Sequence, residues 1–422
     1  MTQDDGRAAD TESAPRRIAM RALFAHRNTR VYLIGRMLSL AGGNVLWLGM
    51  GIWVKMLTGS NSAAGMTFFA YICGLLLLPI GGVIVDRVRR CRLLINTELV
   101  SAAWVCLLLL ADEHRLWLIY VVMFGYGALS GLGLSTQAAL LPQVTPDELL
   151  GEANAVQQIA EQGLRIVTPL IGAGLLTFVG PTPVILLDAA LFLIAAISLI
   201  ALRHREDKPV PSGERFWVEF TAGARFVGRT PEIFRLVLAG VVTLLAFGIF
   251  SSVTYAVVDE GLNQPPAFLG VVQTTSGIGA ILGGLVAAAV MRRVGERGLM
   301  VCGLVGMTVA CSPLLMSGWL PAVLIAAAMM GAGVVAVNVG ESTLIQRRTP
   351  GELLGRVDAA VNMAVLIPQA AAIALGAALI IWMDFRVLLA VMSVLFILSA
   401  FLLARGGLRQ QREPIPTETT VP

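Results

Sequence analysis

Apolar residues run along this chain in twelve long blocks separated by short polar breaks. Each block is close to the ~20 residues that an α-helix needs to cross a bilayer. The first six fall at 31 to 55, 65 to 85, 93 to 111, 116 to 140, 153 to 178 and 183 to 202. The second six fall at 236 to 257, 267 to 291, 298 to 317, 319 to 343, 353 to 382 and 386 to 404. The pattern predicts an all-α membrane protein with twelve transmembrane helices in two pseudo-symmetric six-helix bundles, over 31–202 and 236–404. Tails over 1–30 and 405–422 and a linker over 203–235 complete the organisation.

The linker contains FWVEFTAGARFV, with apolar residues at helical spacing. That spacing suggests an interfacial amphipathic helix, with an ordinary linker helix as the alternative. A repeated phrase supports the two halves: TPDELLGEANA from Thr145 and TPGELLGRVDA from Thr349 match at seven of eleven positions. Six spans separate the copies, so both lie on the same side of the membrane. Each precedes an odd-numbered span, as in parallel repeats related by an axis along the membrane normal. Thr at the cap, Pro at the first helical position and Glu at the third predict a capping box with an N-terminal proline. Thr145 with Glu148 and Thr349 with Glu352 are therefore read as structural caps rather than ligands.

Composition agrees with burial in lipid: 56% of residues are hydrophobic, 14% are charged, and the mean hydropathy is +0.79. Soluble domains carry about a quarter charged residues. With the N-terminus inside, 26 of the 31 basic residues are cytoplasmic, three external (Lys55, Arg115, Arg386) and two within spans (Arg36, Arg165). Basic loops stay in the cytoplasm, so both termini are expected there. The pI near 9.0 then reflects attraction of the inner face to anionic membrane lipids and implies no nucleic acid. No cleavable signal peptide is read in the first thirty residues. Cys73, Cys91, Cys106, Cys302 and Cys311 form no metal-ligand spacing and are expected to be free thiols. His26, His114 and His204 all sit in loops, which leaves proton relay inside the membrane to carboxylates.

Between the second and third spans the chain reads GGVIVDRVRRCR, from Gly81 to Arg92. This resembles the signature loop of the major facilitator superfamily at Gly82, Asp86, Arg87, Arg90 and Arg92, with Arg89 where that family prefers Gly. The resemblance implies that Asp86 meets the start of the eleventh helix as an inner latch, since a carboxylate is favoured at a helix N-terminus. In the second half MRRVGERG puts Arg292 at the acidic position, so a single latch is expected. RIVTPLIGAG, from Arg165 to Gly174, resembles the motif that marks exporters within the family. Pro169 is expected to kink the helix there, with Gly172 and Gly174 allowing close helix contact. Over about residues 20 to 405 the chain is similar to twelve-span drug:proton antiporters of the macrolide-efflux and enterobactin-exporter type. It departs from other drug antiporters by lacking an arginine motif in the fourth span, and from relatives with an acid in the first span by having Gly43 beside Asn44.

Charged groups inside a bilayer cost at least ~2.5 kcal/mol each, so each needs a function or a partner. At ~1.5 Å per residue, Arg36, Glu98 and Glu341 lie about 8 Å from the cytoplasmic edge and Asp188 about as far from the outer one, where they are placed to snorkel. Arg165 is roughly 15 Å deep on the same scale. Glu161, four residues earlier on the same helix face, is expected to pair with it and to be the first candidate for proton coupling. A permanent salt bridge is the alternative. The third and sixth helices are peripheral in the family, which ranks Glu98 and Asp188 lower.

The remaining cavity candidates are Trp47, Phe68, Tyr71, Tyr126, Phe247, Phe250 and Met363, with Asn44, Gln273, Asn338 and Asn362 as polar markers. An apolar pocket with few polar groups suits bulky amphipathic compounds. The pairs Gly127 with Gly131 and Gly279 with Gly283 are read as small-residue helix contacts.

The sequence contains no phosphate-cradling Gly-x-x-x-x-Gly-Lys-Ser/Thr loop, no Gly-x-Ser-x-Gly and no His-Glu-x-x-His. That argues against ATP as the direct energy source and against an intramembrane enzyme; no cofactor or metal is implied. The expectation is secondary export of small amphipathic molecules by alternating access, in exchange for protons, by a monomeric protein of the bacterial cytoplasmic membrane. A dedicated exporter of one metabolite (a siderophore, antibiotic or lipid) and a non-transporting sensor or scaffold are the other two readings.

Overall fold

The computed structural model describes residues 22–85, 87–202, 206, 216–315, 319–349 and 354–407, and every regular element among them is helical. Seven helices precede the linker: α1 (Arg27–Thr58), α2 (Asn61–Leu75), α3 (Leu78–Val85), α4 (Arg90–Cys106), α5 (Leu116–Val144), α6 (Leu150–Val179) and α7 (Pro181–Ile200). The linker carries α8 (Phe216–Arg229). After it come α9 (Pro231–Ala256), α10 (Leu269–Leu315), α11 (Leu320–Arg348), α12 (Leu354–Leu379) and α13 (Phe385–Gly407).

Among the described residues nine helical stretches are long and apolar enough to cross a membrane. Nine and twelve are compatible for three reasons. The 47-residue α10 holds the eighth and ninth blocks, the second block is divided between α2 and α3, and the apolar part of α12 (Met363–Leu379) is short. The chain is a multi-pass helical membrane protein. It divides into two compact units, one of 1–60 with 67–213 and the other of 61–66 with 214–422.

Local chemistry sets where the helices begin and end. The His26 ring caps α1, accepting from the Thr29 N–H at 3.4 Å. The same helix stops at Gly59, whose φ of 67° suits a residue without Cβ, and the Gly59 N–H donates to the Lys55 carbonyl. Lys55 folds back to donate to the Gly59 carbonyl at 2.7 Å, placing its cation at the negative end of the helix. The second block breaks at Leu76 and Leu77 because Pro79 has no N–H to return to Leu75.

The expected capping box at Thr145 does not form. Residues Asp147–Leu149 make a 3₁₀ turn instead, α6 begins at Leu150, and Thr145 ends α5. The Thr145 hydroxyl accepts from Thr29 Oγ1 at 3.3 Å, so tertiary packing has taken the side chain that the local motif needed. The partner expected for Thr349, Glu352, lies outside the described residues. Within α10 the direction changes at Gly295 (φ 75°, ψ 177°), between the eighth and ninth blocks; only glycine takes that backbone conformation without strain.

Lipid gives helices no hydrophobic reason to associate, so close backbone packing through small residues decides which ones meet. A Cβ on Gly127 would lie 2.0 Å from the Tyr71 carbonyl oxygen, which fixes the crossing of α2 and α5. In the second unit a Cβ on Gly279 would lie 1.9 Å from the Ala328 carbonyl oxygen, which does the same for α10 and α11. Gly131 and Gly283 extend these two seams against Leu78 and Ala332.

Candidate functional site

In the first unit, polar side chains gather on successive turns of α1. Arg36 donates from Nη2 to Glu161 Oε1 at 3.1 Å, and Gln157 Nε2 donates to the same oxygen at 3.1 Å. The expected partner of Glu161 is thereby corrected. Arg165 is exposed, and among the described residues it makes no ion pair. Arg36 wins because its side chain is only 9% exposed, whereas an exposed pair four residues apart on one helix gains a few tenths of a kcal/mol.

One turn further along α1, Ser39 donates to Glu98 Oε1 at 3.2 Å; the second Glu98 oxygen, Oε2, is buried without a partner. At the next turn Gly42 faces Asp188, with Asp188 Oδ1 lying 2.3 Å from where a Cβ would be. Asp188 is 0% exposed and neither of its oxygens has a hydrogen-bond partner. Glu98 and Asp188 therefore do not snorkel, and they are the most enclosed of the described carboxyls in the first unit. Position along one helix does not set their burial, because Ser39 and Gly42 on the neighbouring α1 open a seat for both acids. Arg36 does not snorkel either, since it turns to Glu161. Glu341 is half-buried.

Aromatic candidates collect above this ladder. The Tyr126 hydroxyl lies 2.6 Å from a would-be Cβ of Gly43, and its ring packs on Tyr71 (5.9 Å) and Phe192 (6.0 Å). Trp47 and Phe68 pack at 4.6 Å, and the Nδ2 of Asn44 is buried without a partner. In the second unit Phe247 packs edge-on against Phe250 and Phe396. Gln273 and Met363 are half-buried, Asn338 is exposed, and the Asn362 side chain lies outside the described set. Phe192 and Phe396 extend the two clusters and carried no signal in the sequence beyond being apolar.

The exporter-type motif in α6 divides. Gly172 packs on α1, a Cβ there falling 2.9 Å from the Val45 carbonyl oxygen, whereas Gly174 has open space around it and makes no close contact. The helix continues through Pro169 without a break. Of the loop motif, Asp86 lies outside the described residues, Gly82 is half-buried and Arg87 is exposed. Arg90 donates from Nη1 to the Ala139 carbonyl at 3.4 Å. The backbone N–H groups of Arg90 and Cys91 both donate to the carboxylate of Glu206, which caps α4 from beyond α7. In the second unit Glu232 joins Arg297 (3.2 Å) and Arg348 (3.0 Å), and Glu296 pairs with Arg347. Sequence reasoning missed Glu206 and Glu232; the visible signal was an acid among basic residues beside a helix end.

The Major Facilitator Superfamily model matches residues 32–263 and again 236–420. The enterobactin exporter EntS of Escherichia coli is 25% identical over 344 residues, covering 80% of this chain and 81% of that protein. The uncharacterised MFS-type transporter YvqJ of Bacillus subtilis is 24% identical over 363 residues, covering 82% and 85%. A crystal structure of a bacterial homologue of the iron transporter ferroportin in an inward-facing state superposes with a TM-score of 0.70 at 16% identity, covering 90% of this chain and 98% of that one.

Proposed function

Because this chain belongs to the Major Facilitator Superfamily, we propose that it is a secondary active exporter of small amphipathic molecules, working by alternating access in exchange for protons. The observation that carries export is the 25% identity to an enterobactin exporter over 80% of the chain. Support for proton exchange comes from the first unit. Carboxyls in a dry interior need either a partner or a proton, and three oxygens of Glu98 and Asp188 have no partner. Phe68 and Tyr126 are buried in the core, whereas the half-buried rings of Trp47 and Tyr71 and of Phe247 and Phe250 support an apolar, loosely selective substrate surface.

A second reading is a dedicated exporter of one metabolite of the siderophore type, favoured by the similarity to the enterobactin exporters EntS. Purified protein in liposomes under an imposed pH gradient separates the two. Movement of several unrelated amphipathic dyes supports broad export, and movement of enterobactin alone supports the dedicated exporter. Movement of none of them, with or without the gradient, overturns both.

A further inference from the structure

Two features of the first unit remain without a structural purpose: the burial of two acids side by side in the sequence of contacts along α1, and the glycine that admits one of them. Resting on the reading of the protein as a proton-driven exporter, we propose that Glu98 and Asp188 form a proton-binding pair inside the first unit, seated by Ser39 and Gly42. Ser39 and Gly42 are three residues apart, so they are neighbours on one face of α1. The first holds Glu98 Oε1 at 3.2 Å. The second leaves Asp188 room that any side chain would fill, Oδ1 lying 2.3 Å from the would-be Cβ.

Glu98 is 4% exposed and Asp188 0%, and their three open oxygens can accept but have nothing to accept from. A proton meets that need with one bond. Taken from water, it forms an O–H bond on one carboxyl oxygen, and it returns to water when that bond breaks. A metal ion would need a shell of several ligands, and among the described residues no group of three His, Cys, Asp or Glu could hold one. The charged and titratable groups interacting with the pair are Arg36 and Tyr32 from α1 and Tyr126 from α5, with Glu161 from α6 and Tyr71 from α2 behind Arg36 and Tyr126. Arg36 is the one cation in this set, and Glu161 already engages it.

Infrared difference spectra of the full-length protein in nanodiscs, recorded on acidification, test the pair directly. Wild type gains a carboxylic acid C=O band. Asp188→Asn and Glu98→Gln each lose part of it, Ser39→Ala shifts its frequency by removing a hydrogen bond, and Glu113→Gln, an exposed loop acid, leaves it unchanged. The proposal is overturned if wild type shows no such band, or if the band in Asp188→Asn and Glu98→Gln is the same as in wild type. Gradient-driven efflux of ethidium or enterobactin from proteoliposomes tells its failure from that of the exporter reading. Loss of the band in the variants with no gradient-driven transport by wild type sinks the exporter and leaves the pair. Gradient-driven transport that persists in Asp188→Asn sinks the pair and leaves the exporter.

Discussion

At position 42 the usual preference of a helix for alanine over glycine is reversed by packing. Alanine would gain about 0.5–1 kcal/mol in helix propensity. Its methyl would lie 2.3 Å from Asp188 Oδ1 and 3.3 Å from its Cγ, and overpacking of that kind costs about 1–3 kcal/mol. Gly42→Ala should therefore lower the thermal unfolding midpoint in detergent, and adding Asp188→Ala should restore it. Gly174 is the opposite case. Nothing lies within 4 Å of its would-be Cβ, so Gly174→Ala should raise the midpoint. The arginines separate in the same way: Arg36→Ala leaves the half-buried Glu161 without its cation and should destabilise, whereas Arg165→Ala should leave the midpoint nearly unchanged.

A helix end can be completed by a residue far away in sequence, and α4 is completed by Glu206. Arg89 occupies the N-cap position with no side-chain cap, and the Glu206 carboxylate receives the next two N–H groups. Replacing a capping acceptor costs about 0.5–2 kcal/mol. Glu206→Ala should speed hydrogen exchange at the Arg90 and Cys91 amides while leaving the middle of α4 protected. The Thr145 phrase shows the reverse traffic, since a local capping motif gives way when Thr29 recruits its hydroxyl. Elsewhere glycine alone sets the break: Gly59 ends α1 and Gly295 turns α10, each at positive φ.

Among the described residues the proposed exporter has aromatic contacts in both units, those of the first lying beside the polar ladder and those of the second between apolar rings. A broadly selective surface of this sort predicts that unrelated amphipathic compounds inhibit ethidium efflux competitively in proteoliposomes. A dedicated exporter predicts inhibition by enterobactin alone. The second unit is also tied at one end by ion pairs, Glu232 bridging Arg297 and Arg348 from three separate helices. Those residues are 51 or more positions apart, and nothing along the chain announces that they meet.

The helical membrane architecture is legible along the chain, because lipid requires every backbone group to be satisfied within a helix and the apolar blocks have the length to do so. So are the small-residue crossings at Gly127 and Gly279, since paired glycines leave little else for a membrane helix to do there. Tertiary structure alone decided which charges matter. Glu161 pairs with Arg36 rather than with its own helix neighbour, and Glu98 and Asp188 are enclosed rather than snorkelling. The physical reason is that burial and pairing depend on what a neighbouring helix offers at that level, here Ser39 and Gly42. Spacing along one helix holds no record of its neighbour's face.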